Sequence, residues 1–241
     1  MILIALILSV VFGSIGFLVT EKNARYSLSG YNTMSEQDRQ QFDIVSYIRL
    51  FKQFHLTLAA TLFIGVCLLS LIDNNWASIF MTVYPLVAYL YFLVKTAAYN
   101  KGKSGQKAGS YIAGTVLVVV IGTLLFTSFK DYKSSELRLN ADKLAIEGSF
   151  GIKINRKQVE EQQLVDRIPE ISYKENGFAA GDYAKGRFRT KDGRTVWLFV
   201  NKKASRFLWI KSAQGDIFYS HDQMDMQTLS RNIEQWIAGN N

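Results

Sequence analysis

The chain has 241 residues, 49% of them hydrophobic and 20% charged, and a formal net charge of +8. One cysteine excludes an internal disulfide framework and a multi-cysteine zinc or iron–sulfur site, and two histidines leave no histidine-rich metal centre. The mean hydropathy of +0.05 is too high for a disordered chain and too low for one wholly embedded in lipid. It averages an apolar first half and a polar second half.

Four apolar runs, Ile2–Val19, Phe54–Ile72, Trp76–Val94 and Tyr111–Phe129, each 18 or 19 residues long, contain no Asp, Glu, Lys or Arg. At a rise of about 1.5 Å per residue each roughly matches a hydrocarbon core, so four transmembrane helices are expected in a region 1–129. An N-terminal apolar run can be a cleaved signal peptide. Here no Lys or Arg precedes it, it is long for a signal's apolar core, and Thr20-Glu21-Lys22-Asn23 offers no small-x-small cleavage pattern. A retained helix is expected.

Orientation follows from Lys and Arg in the short loops. Lys22, Arg25, Arg39, Arg49 and Lys52 lie between runs one and two, and Lys95, Lys101, Lys103 and Lys107 between runs three and four. The Asp73-Asn74-Asn75 hairpin carries none. Lys130, Lys133, Arg138 and Lys143 follow the last run, but nine cations against four place the two basic loops in the cytoplasm. The N-terminus and everything after Phe129 are then extracytoplasmic.

Intramembrane charge marks transport and proton relay, and these runs lack it. His55 sits just inside the start of the second run, where interfacial solvation accounts for it. Pro85 is expected to kink the third helix. Ser110, Gly114, Val118 and Gly122 form a small-residue stripe on the fourth, read as internal packing of the bundle. Cys67 reads as a packing residue.

Between the first two runs, Ser35 followed by Asp38 resembles a capping box. The helix after it, carrying Phe42, Val45, Ile48 and Phe51, is expected to lie amphipathically at the inner interface and lead into the second span. Gly30-Tyr31-Asn32-Thr33-Met34-Ser35, placed after one membrane helix, resembles the Gly-Tyr-Asn-Thr-Met-Ser segment of an uncharacterised family of small bacterial membrane proteins, over about residues 1–97. The resemblance implies a membrane location and no activity. In physical terms, Gly30 allows a tight turn, Asn32 and Thr33 can bond local backbone, and Ser35 caps a helix.

Residues 130–241 are large enough for one domain. Seven short strands are expected: Leu144–Glu147, Gly151–Asn155, Gln158–Val165, Lys185–Lys191, Thr195–Val200, Phe207–Lys211 and Asp216–Ser220. Asp192-Gly193 signals a hairpin and Gln214-Gly215 a weaker one. Asp222 is expected to cap a final helix over about 223–238, whose apolar face is Met226, Leu229, Ile233, Trp236 and Ile237. Seven antiparallel strands and one helix describe a small barrel or sandwich plugged by the helix. Arg167-Ile168-Pro169-Glu170-Ile171, Asn176-Gly177-Phe178, Gly181, Gly186-Arg187-Phe188, Asp192-Gly193 and Leu198-Phe199-Val200-Asn201-Lys202 resemble pleckstrin-homology-like domains of bacterial proteins, over about 136–238. The resemblance implies binding or scaffolding rather than catalysis. The first hairpin, around Gly148-Ser149-Phe150-Gly151, lacks the basic cluster that phosphoinositide binders carry there, so that ligand is not implied.

Lys185, Arg187, Arg189 and Lys191 alternate along one strand and share a face, with Arg194 just past the turn and Phe188 pointing inward. Such a ladder can grip phosphate or carboxylate groups of lipids or envelope polymers, or it is a solvated strand face whose charges deter edge pairing. No glycine-rich phosphate loop, nucleophile elbow or His-Glu-x-x-His motif is present. His221-Asp222 lacks a nucleophile partner. No catalytic residue, metal or cofactor is assigned. Nucleic acid is disfavoured, because nine of the 28 cations and five of the 20 anions precede Lys130, leaving the second half a surplus of only four. The expected function is a membrane-tethered binding or scaffolding module for a protein partner or an anionic envelope component, accessory to an envelope complex. The rival is a small transporter or channel subunit with a regulatory domain.

Overall fold

A computed structural model describes residues 1–97 and 104–239, apart from the side chains of 29, 30 and 104–108. Lys101 and Lys103 of the second basic loop lie outside the described residues, as do the side chain of Lys107 and the surroundings of Gly30. The chain divides into two compact units, Met1–Phe126 and Thr127–Asn241, with the division inside the last apolar helix rather than at its end.

In the first unit the apolar runs become helices α1 (Ile2–Leu18), α5 (Ile44–Ile72), α6 (Asn74–Ala97) and α7 (Ser104–Asp131), with short helices α2 (Ala24–Ser27), α3 (Ser29–Asn32) and α4 (Glu36–Gln41) between the first two. Three spans are long and apolar enough to cross a membrane: Ile44–Ile72, Asn74–Ala97 and Gly109–Asp131. α1 is a shorter apolar helix of 17 residues. It packs along α5, with Ala5, Leu62 and Val66 fully buried between them and Phe63, Phe80 and Tyr84 packed around. At Gly16 a Cβ would lie 3.1 Å from the His55 Cβ and 3.2 Å from the Lys52 carbonyl oxygen, so glycine lets the two helices approach.

Ser35 caps α4, its Oγ accepting the Asp38 N–H at 3.1 Å. The expected interfacial helix is not one element, however. α4 ends at Gln41, Asp43 Oδ1 accepts the Ser46 N–H at 3.0 Å and starts a new helix, and α5 runs unbroken for 29 residues. Ile48 and Phe51 therefore belong to the same rod as the apolar run. Asp73 Oδ1 accepts from the N–H groups of Asn75 (2.8 Å) and Trp76 (2.9 Å), which turns the chain tightly from α5 into α6. Pro85 lies buried within α6. The stripe on α7 does not pack as expected: none of its span is buried, and a Cβ on Gly122 would meet nothing within 4 Å. Ser110, Gly114 and Val118 instead line an apolar groove of about 640 Å³ opposite Leu90, Leu93 and Val94 of α6.

The second unit holds nine strands and a helix: β1 (Leu137–Leu139), β2 (Lys143–Ile146), β3 (Ile152–Asn155), β4 (Val159–Val165), β5 (Ile171–Ala180), β6 (Tyr183–Thr190), β7 (Thr195–Asn201), β8 (Phe207–Ser212), β9 (Asp216–Tyr219) and α8 (Met226–Ala238). All seven expected strands are present within a residue or two; β1 and β5 are additional. β1–β2–β3 form one antiparallel sheet, and the second has the order β4-β8-β9-β7-β6-β5. The expected all-antiparallel arrangement is not met, because β7 and β9 pair parallel, Val196 opposite Asp216 through Phe199 opposite Tyr219. β8 supplies the return strand that makes this possible. The Asp192-Gly193 and Gln214-Gly215 turns do connect antiparallel neighbours, β6 to β7 and β8 to β9.

β4 and β5 lie at opposite edges of the large sheet, yet only residues 166–170 separate them. That link reaches roughly 20 Å, whereas the outer strands of a flat six-stranded sheet stand about 24 Å apart. The sheet therefore curls, and Ile168 of the link packs into its concave face with Phe188, Val196, Leu198, Phe207 and Phe218. On the other face, Phe199, Leu208, Ile210, Ile217 and Tyr219 meet Leu144, Ile146, Ile152 and Ile154 of the small sheet and Leu229, Ile233 and Trp236 of α8. Strand alternation assigns these faces: Leu198 goes one way and Phe199 the other. The cap of α8 is Asp225, which accepts the Thr228 N–H at 3.0 Å, not Asp222 as expected. α8 starts three residues later than the pattern implied, which frees Asp222 for another task.

Candidate functional site

The strand that carries the cationic pattern is β6, and it lies inside the large sheet between β5 and β7. Its cations are not equivalent. Arg187 Nε lies 3.0 Å from Glu175 Oε2, and Arg189 Nη1 lies 3.7 Å from the other oxygen of Glu175. Lys191, already in the turn, pairs with Glu170 at 2.9 Å. Arg194 bridges Asp192 at 2.9 Å and Asp216 at 3.1 Å. Four cations thus face four carboxylates, and this part of the ladder is neutral within itself. Glu175 is placed by a bulge: the β5–β6 register shifts between Lys174 and Asn176, and an extra residue in a strand re-aims a side chain. Sequence reading missed β5, and with it the partner of two arginines.

Lys185 behaves differently. It is 6% exposed, and its Nζ donates to the Lys130 carbonyl at 3.3 Å, in the last turn of α7. A cation at a helix C-terminus complements the helix dipole. Burial holds the ammonium pKa below the usual lysine value, with Asp131 and Asp222 pulling it back up and Lys133 lowering it further.

Around this contact the strand ends converge on residues 130–136, the segment leading out of α7. Tyr183 donates its hydroxyl to Asp222 Oδ2 at 2.5 Å, and Asn201 Nδ2 donates to Oδ1 at 2.8 Å. The Asp222 backbone N–H donates to Ser134 Oγ at 2.9 Å. Tyr219 donates to the Ser135 carbonyl at 2.7 Å, and Tyr132 meets the Phe178 ring edge-on at 5.0 Å. Burial, reinforced by the bond to a carboxylate, pushes the Tyr183 phenol well above its usual pKa. Burial alone would raise Asp222; the bonds from Tyr183 and Asn201 outweigh it and hold the carboxyl below its usual value. These partners are 21 to 88 residues apart in sequence, so no local pattern announces them.

Both Asp222 oxygens are thereby committed. His221 turns elsewhere: Nδ1 accepts the Gln223 N–H at 3.1 Å, and Nε2 lies 3.8 Å from Glu136. Among the described residues, no group of three or more His, Cys, Asp or Glu side chains gathers to hold a metal ion.

In the first unit, His55 is not solvated at an interface as expected; it is 1% exposed. Nδ1 lies 2.8 Å from the Phe51 carbonyl, which can only accept, so Nδ1 carries the proton and Nε2 accepts the Tyr89 hydroxyl at 3.1 Å. Phe51, Phe54 and Phe92 surround the ring. Both nitrogens are satisfied without water.

Residues 6–102 match the family model described as Domain of unknown function (DUF3784). The match takes in most of α1 and all of α2 to α6, including Gly30–Ser35, and leaves the second unit outside it. No curated protein and no solved structure matches the chain.

Proposed function

We propose that this chain is a multi-pass membrane protein whose second unit is a tethered binding or scaffolding module, accessory to a cell-envelope complex. The observation that carries the reading is the junction: a compact sheet-and-helix domain begins five residues after a membrane-length helix and hydrogen-bonds that helix's last turn. α1 is the fourth span in this reading. Its 17 residues reach about 25 Å, and Ile4, Ile7 and Val11, away from α5, remain 54%, 53% and 49% exposed, as a lipid-facing stripe does. The N-terminus and second unit are extracytoplasmic, on the weight of Lys22, Arg25, Arg39, Arg49, Lys52 and Lys95 in the opposite loops.

The two sheets and the sealing C-terminal helix support the kinship with pleckstrin-homology-like domains, and the parallel β7–β9 pair is this chain's departure from it. Asp222's commitment to Tyr183 and Asn201 supports a structural over an acid–base role for His221-Asp222, and hence a non-enzymatic module. The satisfied ring of His55 supports packing over proton relay in the membrane region.

Two measurements test this. Alkaline phosphatase fused after Asn241 is active if the domain is extracytoplasmic, and an inactive fusion overturns the topology. Crosslinking in native membranes with mass spectrometry should return one stoichiometric protein partner; a chain that links only to itself removes the scaffolding role.

A further inference from the structure

Two dipeptides in the second unit set a short side-chain carbonyl before a glycine, Asn176-Gly177 and Asp192-Gly193. Glycine leaves its own nitrogen uncrowded and its peptide unit free to turn, so that nitrogen can reach Cγ of the residue before it. The fold separates the two. In the Asp192-Gly193 turn, the Gly193 N–H is donated to the Thr190 carbonyl at 3.1 Å. The Asp192 carboxylate is held by the Thr190 hydroxyl and by Arg194 Nε at 2.9 Å. Both reacting groups are engaged there. At the other site, β5 and β6 are joined by the two-residue turn Gly181-Asp182, so Ala180 and Tyr183 form the hydrogen-bonded pair that closes the hairpin. Counting back through the unbroken register, Phe178 and Asn176 also bond β6, opposite Lys185 and Arg187, whereas Gly177 turns its N–H away. β5 is the edge of the sheet, so no strand meets that N–H, and Asn176 is exposed. Bringing the nitrogen onto Cγ means rotating the peptide unit between the two residues, which breaks one sheet bond, from the Arg187 N–H to the Asn176 carbonyl. A Cβ on Gly177 would strike the Lys185 carbonyl oxygen, so the position stays glycine.

We propose that Asn176 is a site of spontaneous deamidation and backbone isomerisation, with the Gly177 nitrogen as nucleophile and water as the only co-reactant. The Gly177 N–H gives its proton to solvent base, its nitrogen bonds Asn176 Cγ, and the Cγ–Nδ2 bond breaks as ammonia leaves with a proton from solvent. Water then opens the cyclic imide. Cleavage of the bond from nitrogen to Cγ leaves an aspartate, and cleavage of the bond from nitrogen to the main-chain carbonyl leaves an isoaspartate, in which the chain runs through Cγ and gains a methylene. Either product puts a carboxylate opposite Arg187, which already pairs with Glu175, so the ladder that is neutral in the unmodified chain becomes negative. In the isoaspartate the β5 residues on the two sides of position 176 can no longer share one register with β6. The reaction concerns the second unit alone and does not depend on the membrane reading.

The test ages the full chain in nanodiscs in water enriched in heavy oxygen, folded or unfolded in guanidinium. Each imide that opens takes up one labelled oxygen, so mass spectrometry reads both dipeptides alike. Cleavage after lysine places them in separate peptides, 175–185 and 192–202. In the folded chain, 175–185 should gain label at residue 176, with isoaspartate among the products. At about 1 kcal/mol per hydrogen bond, unfolding should speed labelling about fivefold in 175–185, where one sheet bond is at stake, and about a hundredfold in 192–202, where three are. The Asn176→Gln variant, whose longer side chain closes a larger and slower ring, should leave 175–185 unlabelled on the same timescale. A folded 175–185 peptide that stays unlabelled while the unfolded control labels overturns the proposal. So does protection of 175–185 as strong as that of 192–202, or label that persists in Asn176→Gln.

Discussion

Removing the Asp222 carboxylate should unfasten the junction. Tyr183 is 7% exposed, so Asp222→Ala leaves its hydroxyl buried without the acceptor now 2.5 Å away. An orphaned buried donor costs about 1–3 kcal/mol, and a bond to a charged group is worth about 1.5–3 kcal/mol, two overlapping descriptions of one loss. Adding the exposed Asn201 contact at its small surface value gives about 2–3 kcal/mol. For a unit of this size that lowers the melting temperature by about 8–12 °C. Tyr183→Phe should cost less, about 1 kcal/mol, because the carboxylate keeps Asn201 and water. The double variant should be no worse than Asp222→Ala, a coupling of about 1 kcal/mol. The assay is guanidinium unfolding of the full chain in nanodiscs in a Trp76→Phe background, which leaves Trp197, Trp209 and Trp236, all in the second unit, to report. A loss below about 0.5 kcal/mol, or strict additivity of the two changes, would refute the role given to this pair.

The same cluster sets a pH dependence. Asp222 is held below its ordinary value of 3.8, so its contribution is complete above that pH and disappears as the pH falls through the lower folded value; acid titration of unfolding midpoints should show this loss in wild type and not in Asp222→Asn. Lys185 is held below 10.5, so the cost of burying its charge, full at neutral pH, is relieved as the pH rises toward 10.5. Wild type should therefore gain on Lys185→Met between pH 8 and 10 in the same assay, and equal slopes would count against the burial. Trp236→Ala removes a 3% exposed side chain and its 2.6 Å bond to the Asn140 carbonyl, at a cost of about 4 kcal/mol read by the midpoint shift. Gly186 has φ +108°, and a Cβ there would strike the Asn176 carbonyl and lie 2.7 Å from the Gly177 Cα; Gly186→Ala should cost at least about 2 kcal/mol by the same measure. Ser35→Ala should loosen α4 by about 1 kcal/mol, seen as faster amide exchange over 36–41.

Strong local patterns were legible and distributed ones were not. The apolar runs, the Asp192-Gly193 turn and the apolar stripe of α8 each rest on neighbours within a few residues, and each reappears in the fold. β5 escaped notice because Ile-Ser-Tyr-Lys-Glu-Asn-Gly is an edge strand with two register shifts, so it shows no clean alternation. The cap was misplaced by three residues because Asp222 and Asp225 both stand before the helix, and only long-range partners tell them apart. The cationic ladder was visible in composition, but its neutrality was not, since Glu175, Glu170 and Asp216 arrive from other elements. His55 looked peripheral by position and proved central because α6 brings Tyr89 and Phe92 over it.

The order in which the second unit is stitched together bears on its biogenesis. Asn140, just after the first strand, is sealed by Trp236, 96 residues downstream, and β4 cannot be paired until β8 has been made. A nascent chain therefore carries its earliest strands uncovered through most of the domain's synthesis, so folding is deferred to a late, concerted step. The β1–β3 hairpins are thus the part of the unit that waits longest for its cover, since the strands and helix that pack on them all follow in the chain.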